Sequence, residues 1–425
     1  MHHLENDPRL AELQARCVQL EGRVAELTAV AERFIDNVSH EFRTPLTVIR
    51  EYASILRDGL AGSVAEAQRR YLDQIIDRDD DLTLLVDDLL DLGKFESGLF
   101  SARRKPCRAA DLVKCLKPGL QRKAMLKGIA LEIDLGDGLP ALYCDAELVR
   151  RLLANLAANA FKFSEPGGCV QIWSRVANAH EVVMGVSDDG PGIDADQASR
   201  IFERFTQLDT PNRSSTKGFG LGLAVARQLA TINLGEIMLA SNPGEGSTFS
   251  FTVPRATPQA AAMGYLAMLS KSAAAEPVSL IQAQIDDTSE PRRAVAVDEF
   301  LHHIVRWNDL VWQSTPRGWQ LLIAGGHSHA VETVGQIKAE WNEFRRSPAT
   351  SAAPDIELNI VGEWPQAAAL PALLACLGEN AQSGALPGDP QAGLPATRVL
   401  STDLRQQQRC MNSDVSSILA GVPVA

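Results

Sequence analysis

Residues 152–164 read LLANLAANAFKFS. The apolar residues recur with helical spacing, and we expect a largely buried helix over 145–163. Asn155 and Asn159 are four residues apart and therefore share one face of that helix. An amide oxygen is a suitable ligand for Mg²⁺, an ion that proteins usually share with substrate phosphates, and Lys162 lies within reach of such phosphates. The alternative is a pair of polar residues that only cap a buried face, which is the weaker interpretation for two asparagines in an otherwise apolar helix.

A glycine-containing turn, DDGPGI at residues 188–193, follows a strand predicted over 181–187. Asp188 can accept a hydrogen bond from the exocyclic amine of adenine. Gly190 and Gly192 allow the backbone to come close to a ring. Many strand–turn motifs with two glycines are only turns, so this motif predicts little by itself.

A second glycine-rich segment, GFGLGL at residues 218–223, opens a helix predicted over 220–231. Glycine-rich backbone before a helix N-terminus is typical of an anion-binding site. The polar residues 206–217 that precede it, Arg213 among them, are predicted to form a lid over the ligand. The candidate binding residues of this region are Gly218, Gly220, Leu221 and Gly222, together with Thr248 in a strand predicted over 247–253.

The octet SHEFRTPL at residues 39–46 carries a candidate nucleophile. His40 lies about 200° of helix rotation beyond Val38, a residue of the apolar seam described below, and so points towards solvent. A neutral imidazole can attack a phosphoryl group, and the adjacent Glu41 can accept the proton of its other nitrogen. Thr44 shares the face of His40 and is placed to orient a water molecule. An isolated surface histidine is usually only a solvated side chain.

Apolar residues over 10–38 repeat every 3.5 residues, which predicts a coiled coil and hence a dimer. The alternative is one amphipathic helix packed on a core. The helix should continue to about residue 57, and after a turn at 58–63 a second helix follows over roughly 65–96. Two such hairpins from two chains would close a four-helix bundle.

These motifs together resemble the sensor histidine kinases of two-component systems. The octet is similar to the H-box of the HisKA type, with Phe42 where leucine is more usual, and LLVDDLL at 84–90 resembles the second helix of the same hairpin. The segments at 152–164, 188–193, 201–205 and 218–223 resemble the N-box, G1 box, F-box and G2 box, in the order that the family requires. The F-box IFERF contributes Phe202 and Phe205, for which simple packing is also a sufficient explanation. The resemblance covers residues 34–253.

The resemblance implies a Bergerat-type ATP fold that works with Mg²⁺, and Asn159 as the metal ligand. The γ-phosphoryl group of ATP would pass to His40 and then to an aspartate on the receiver domain of a response regulator, which the kinase could also dephosphorylate. Two alternatives remain open. One is an ATP-binding regulatory scaffold with little turnover. The other is a chaperone or topoisomerase relative of the same ATP-fold superfamily, and such proteins lack the hairpin.

The expected fold is multidomain: a dimeric four-helix bundle, an α/β sandwich that binds ATP, and a second α/β domain. The predicted segments are a coiled-coil signalling helix at 1–33, the hairpin at 34–103, the ATP-binding domain at 104–254, a linker at 255–276, a regulatory domain at 277–380 and a poorly ordered tail at 381–425.

Residues 277–380 faintly resemble the nucleotide-cyclase fold of diguanylate cyclases. A strand over 278–285 would end at Asp286 and Asp287, but the turn that carries the signature in that family reads TPRGW at 315–319. This turn has no carboxylate to bind a metal ion, so we expect a catalytically inactive, degenerate domain with a regulatory or partner-binding role.

The formal net charge of −12 disfavours non-specific binding to nucleic acid or to an anionic membrane. No apolar run is long enough to span a bilayer, and the N-terminus does not read as a signal peptide, so a cytoplasmic location is expected. The seven cysteines form no CxxC pair and no metal-type cluster, and we expect free thiols in a reducing compartment.

Overall fold

The computed structural model describes most of the chain between residues 41 and 378. The described residues are 41–96, 100–206, 220–271, 276–286, 291–346 and 353–378, with five further helical residues at 16, 23, 30, 37 and 38. Most of the predicted coiled-coil seam, His40 itself and the tail at 381–425 lie outside these ranges.

The helical hairpin consists of α1, residues 41–57, and α2, Glu66–Glu96, as the sequence predicts. An ion pair between Arg43 and Asp87, 2.7 Å long, crosses from one helix to the other, and Ala53 is buried. The hairpin leaves many large apolar side chains exposed, among them Phe42, Val48, Ile49, Tyr52, Ile55, Leu56, Tyr71, Ile75, Leu82 and Leu89. A single hairpin therefore does not cover its own apolar surface.

The second domain is a two-layer α/β sandwich. Its elements are β1 (Lys105–Cys107), α3 (Ala109–Lys127), β2 (Ala130–Leu135), β3 (Leu142–Cys144), α4 (Ala146–Phe163), β4 (Cys169–Val176), β5 (Glu181–Asp188), α5 (Ala195–Ala198), α6 (Gly222–Ile232), β6 (Ile237–Ser241) and β7 (Ser247–Pro254). Five strands form a sheet in the order β2-β4-β5-β7-β6, in which only the β2–β4 pair is parallel. The short strands β1 and β3 pair separately.

Helix α4 lies at the centre of this domain because its apolar residues form one continuous stripe. Leu152, Leu156 and Phe161 are fully buried and share a core with residues of α3, α6 and the sheet. The Asp145 side chain caps the helix by accepting hydrogen bonds from the backbone N–H groups of the first turn. The predicted bounds of 145–163 are confirmed to within one residue.

Residues 194–205 also read as a helical stretch in the sequence, and this prediction is wrong for most of its length. Only α5, Ala195–Ala198, is helical there, and turns follow. Burial of Ile201 and the edge-on contact of Phe202 with Phe249 pin these turns to the core. Phe205 then adopts a left-handed backbone conformation with φ of 59°, which a helix cannot contain.

The third domain begins with a helix inside the segment 255–276, for which the sequence allows a linker or a short helix. Its elements are α7 (Pro258–Ser270), β8 (Val278–Ile285), α8 (Pro291–Ile304), β9 (Leu310–Thr315), β10 (Gly318–Ala324), α9 (His327–Arg346), β11 (Ile356–Trp364) and α10 (Gln366–Gly378). The strands pair antiparallel in the order β11-β8-β10-β9. From β8 to β11 the succession is βαββαβ, the ferredoxin-like arrangement. Whether this domain is related to the cyclases stays a prediction.

The third domain shares a core with the second. One face of its sheet packs against α8 and α9. The other face packs against α7 and α10, and also against Tyr143 and Leu234 of the second domain. Within the described residues, no helix combines the length and apolar character needed to cross a membrane.

Candidate nucleotide-binding and phosphoacceptor site

Helix α4 presents Asn155, Asn159 and Lys162 along one side, at intervals of four and three residues. Both asparagines are half-buried, between the core and the surface. The Nδ2 of Asn155 is buried and has no hydrogen-bond partner in the structure. An unsatisfied buried amide is costly, and a polar ligand such as a phosphate oxygen would satisfy it.

The donor set on α4 fits a magnesium ion that is shared with phosphates. The amide oxygens are hard, neutral ligands of the kind that would hold Mg²⁺ together with substrate phosphates and water. The Lys162 ammonium lies 5.1 Å from the centre of the Phe163 ring, at the end of the helix. Asn159 is the candidate metal ligand, and Asn155 and Lys162 are candidates for the phosphates.

Asp188 ends β5 in a largely buried position, with 8% of its surface exposed. The backbone N–H of Gly190 donates to its Oδ1 at 2.9 Å, and the N–H of Ser247 also donates to the carboxylate. Burial raises the pKa of Asp188 to about 6, although these two hydrogen bonds act in the opposite direction. An acceptor held this firmly in a buried place suits recognition of an amine such as that of adenine.

The turn after Asp188 requires glycine for steric reasons. Gly192 has φ of 73°, and a Cβ placed there would lie 1.9 Å from the carbonyl oxygen of Asn242. A Cβ on Gly190 would lie 2.6 Å from Asp188 Oδ1 and 3.3 Å from the carbonyl oxygen of Phe163. The turn therefore lies directly beside the C-terminal end of α4, so the structure brings the predicted N-box and G1 box together.

Thr248 lies on β7, next to the strand that carries Asp188. Its hydroxyl donates to Ser187 Oγ at 2.9 Å, and the indole N–H of Trp173 donates to the same oxygen at 3.0 Å. These bonds fix the side-chain rotamers of Thr248, Ser187 and Trp173, which lie on the neighbouring strands β7, β5 and β4.

Phe205 and Gly220 bracket the predicted lid. The N–H of Phe205 donates to the carbonyl oxygen of Gly220 at 3.0 Å, and Phe205 is 64% exposed. Gly220 has φ of 73°, and a Cβ there would lie 2.7 Å from the carbonyl oxygen of Thr206. The two ends of the intervening segment thus meet at the start of α6. Residues 207–219, with Arg213 and Gly218, lie outside the described residues.

Two of the predicted site residues, Phe202 and Leu221, pack in the hydrophobic core. Phe202 packs edge-on against Phe249, with ring centroids 6.3 Å apart, and Leu221 is 2% exposed at the start of α6. Packing in the core therefore explains Phe202, which is the alternative that the sequence left open for this residue. Gly222 is the first residue of α6 and has open space around it.

On the phosphoacceptor side, the structure describes α1 from Glu41 onwards. Glu41 and Thr44 are exposed on this helix, which places both at the surface from which His40 is predicted to react. The sequence did not reveal how the hairpin contacts the sandwich: Arg151 of α4 forms ion pairs with Asp88, at 2.8 Å, and with Asp91 of α2.

A second contact that the sequence missed centres on Arg104, which follows the hairpin directly. Its guanidinium is buried and donates to three carbonyl oxygens: Ile232 at 2.6 Å, Asp309 at 2.9 Å, and Trp307. Burial lowers the pKa of this guanidinium. The basic run RRK at 103–105 gives no sign that its central residue joins the second domain to the third.

Two family models match the chain in succession. The model described as "His Kinase A (phospho-acceptor) domain" matches residues 31–98. The model described as "Histidine kinase-, DNA gyrase B-, and HSP90-like ATPase" matches residues 144–257. The first match favours a kinase over a chaperone or topoisomerase relative.

The chain is also similar to known sensor kinases. The circadian input-output histidine kinase CikA of Synechococcus elongatus is 35% identical over 264 residues, which cover 58% of this chain and 35% of that protein. The alginate biosynthesis sensor protein KinB of Pseudomonas aeruginosa is 32% identical over 226 residues, 53% of this chain and 37% of that protein. A crystal structure of full-length ShkA with AMPPNP is 30% identical and aligns with a TM-score of 0.45, over 53% of this chain and 46% of that one.

The chain therefore spans little more than a third of each of these two curated relatives. Over residues 31–98 and 144–257, which match the phosphoacceptor and ATPase models, the chain is similar to the sensor histidine kinases of two-component systems.

Proposed function

We propose that this chain transfers the γ-phosphoryl group of ATP to His40 and passes it on to an aspartate of a response regulator. The observation that carries the proposal is that the glycine turn beside the buried Asp188 carboxylate lies against the C-terminal end of α4, the helix that carries Asn155 and Asn159. This arrangement offers a metal and phosphate side and an adenine side within one site.

Each described residue has a distinct task in this proposal. Asp188 accepts a hydrogen bond from the adenine amine, and Asn155 donates its unsatisfied amide to a phosphate. Asn159 holds Mg²⁺, which neutralises phosphate charge in phosphoryl transfer. Glu41 accepts a proton from His40, which makes the imidazole a better nucleophile. Thr44 orients the water that hydrolyses the regulator's phosphoryl group.

Dimerisation through the hairpin belongs to the same proposal. The exposed apolar side chains of α1 and α2 would be covered by the hairpin of a second copy, which closes a four-helix bundle. Burial of apolar surface at about 25 cal/mol per Å² makes such pairing favourable.

We further propose that the third domain restrains the ATP-binding domain. Arg104 and its three carbonyl acceptors connect the segment after α2 to α6 and to the loop before β9. The Arg151 ion pairs hold α4 against α2 at the same time. Phosphoryl transfer needs the ATP-binding domain to approach His40 and withdraw again, so contacts that hold this domain slow the cycle.

The experiment that tests the main proposal is autophosphorylation of the His40→Gln variant with labelled ATP. We expect complete loss of acid-labile label, while nucleotide binding stays within twofold of the original protein. His303→Gln is the matched control, because His303 is exposed on α8 and should not affect labelling. Acid-labile label on His40→Gln would refute the assignment of the phosphoacceptor.

A further inference from the structure

Two cysteines far apart in the sequence meet beside the segment that joins the hairpin to the sandwich. In the two-stranded sheet, Cys107 of β1 is opposite Leu142 and Lys105 is opposite Cys144 of β3. Cys107 and Cys144 are therefore diagonal neighbours on the same face. Their sulfur atoms are 3.1 Å apart, so a disulfide, whose S–S bond is about 2.05 Å, needs a closure of only about 1 Å.

The two thiols differ in exposure and in acidity. Cys107 is half-buried and can be reached from solvent, whereas Cys144 is 1% exposed. The hydrogen bond with Cys144 lowers the pKa of the Cys107 thiol. The same hydrogen bond, together with burial, raises the pKa of Cys144. Since the thiolate is the nucleophile, Cys107 is suited to react first and Cys144 to react second.

We propose that Cys107 and Cys144 form a reversible disulfide when the protein meets a hydroperoxide. In the first step the Cys107 thiolate attacks one oxygen of the O–O bond. An S–O bond forms, the O–O bond breaks, and hydroxide leaves and takes up a proton to become water. In the second step the Cys144 sulfur attacks the sulfur of the Cys107 sulfenic acid: the S–S bond forms, the S–O bond breaks, and the hydroxyl takes the proton of the Cys144 thiol and leaves as a second water molecule. Two thiols and one molecule of hydrogen peroxide thus give one disulfide and two molecules of water.

The bond should be easy to reduce. Diagonal neighbours across antiparallel strands are spaced about 7–8 Å between Cα atoms, wider than the usual disulfide, so closing the bond also requires the two strands to shift slightly. Bonds that form under such constraint are readily opened by a dithiol, as is typical of regulatory disulfides.

The position of the pair suggests what the bond would do, and this step rests on the proposed kinase function. Cys144 directly precedes Asp145, which caps α4 and also accepts a hydrogen bond at 2.8 Å from the backbone N–H of Arg103 in the joining segment. A covalent link from β1 to β3 would fasten this segment to the start of the helix that carries Asn155 and Asn159. The ATP-binding domain would then move less freely, and autophosphorylation would fall.

The experiment treats the reduced full-length protein with increasing hydrogen peroxide, blocks the remaining thiols by alkylation and maps the peptides without reduction. We expect a peptide pair joined through Cys107 and Cys144 that a dithiol separates. The pair should be absent from Cys107→Ser and present in Cys115→Ser, the control with an exposed thiol on α3. Full alkylation of both cysteines after peroxide, or sulfinic acid on Cys107 with Cys144 still a free thiol, would overturn the proposed site.

The kinase effect has its own measurement. Autophosphorylation should fall severalfold on oxidation, recover with dithiol and stay constant in Cys107→Ser. If the disulfide forms and labelling does not change, the regulatory effect is refuted while the modification site stands. Because the peptide map needs no kinase activity, failure of the site and failure of the proposed function can be told apart.

Discussion

The indole of Trp307 stacks on the phenyl ring of Phe95, with ring centroids 4.6 Å apart and the ring planes inclined by 28°. Phe95 lies at the end of α2, and Trp307 lies in the third domain, between α8 and β9. The backbone N–H of Trp307 also donates to the carbonyl oxygen of Phe100 at 3.1 Å. The third domain thus contacts the hairpin itself as well as the ATP-binding domain.

We expect Trp307→Ala to accelerate autophosphorylation, since it releases the end of α2 from the third domain. An aromatic pair contributes about 0.5–1.5 kcal/mol beyond area burial, which corresponds to a roughly two- to tenfold change in the population of the released state. The measurement is the initial rate of His40 labelling at saturating ATP. Trp307→Phe keeps a ring in place and serves as the control. A slower Trp307→Ala protein with unchanged thermal stability would contradict the restraint.

Removal of the Asn159 amide should abolish magnesium-dependent binding of ATP. We expect Asn159→Ala to show the same weak nucleotide affinity with Mg²⁺ as with a chelator, because the proposed metal ligand is absent. Titration with a fluorescent ATP analogue, with and without Mg²⁺, measures both values. Asn359→Ala, an exposed amide on β11, is the control. A normal magnesium effect in Asn159→Ala would show that the metal is held elsewhere.

Asp188 should make nucleotide binding depend on pH. Its pKa of about 6 means that the carboxylate is ionised, and so a full acceptor, only above that pH. We expect ATP affinity to weaken as the pH falls from 7.5 to 5. Asp188→Asn should lose roughly ten- to a hundredfold in affinity at pH 7.5, the effect of one hydrogen bond to a charged group. The phosphates titrate in both proteins, so the difference between the two pH profiles isolates Asp188.

Asp188 affects the stability of the folded protein with the opposite pH dependence: ATP binding gains as the pH rises, whereas stability falls. The folded pKa lies above the ordinary value of 3.8, so between these two values the folded protein holds a proton that the unfolded chain has released. This contribution to stability is complete below pH 4 and is lost as the pH rises through about 6. Asp188→Asn should therefore raise the melting temperature of the nucleotide-free protein at pH 7.5. A lower melting temperature would indicate a structural role instead.

We expect no cyclic dinucleotide from this chain when it is incubated with GTP and Mg²⁺. Cyclase chemistry needs carboxylates that hold metal ions, and the turn between β9 and β10 offers none. Asp286 follows β8 close to this turn, where the N–H of Ile285 donates to the carbonyl oxygen of Arg317 at 3.1 Å. Chromatography of the reaction products decides the matter, and a cyclic dinucleotide above the level of a boiled control would refute the expectation.

The regular elements were predictable where the apolar residues repeat with helical periodicity, as in α4 and α2. The backbone of the glycine turn at the candidate site was predictable because it has a local steric cause, the left-handed conformation of Gly192. The contacts of Arg104, Arg151 and Trp307 were not, since each joins residues 60 or more positions apart and leaves no pattern along the chain. The contact of Cys107 with Cys144, 37 positions apart, likewise leaves no pattern along the chain.

The core that Tyr143 and Leu234 share with the third domain bears on protein engineering. Chimeric sensor kinases can be built by exchanging modules at the boundaries between domains. Here a cut after residue 256 would expose the apolar surface around Tyr143 and Leu234. It would also remove two of the three carbonyl acceptors of the buried Arg104. A fragment of residues 1–256 is therefore expected to be less soluble than the whole chain. A chimera that keeps native packing must transplant residues 100–378 as one piece.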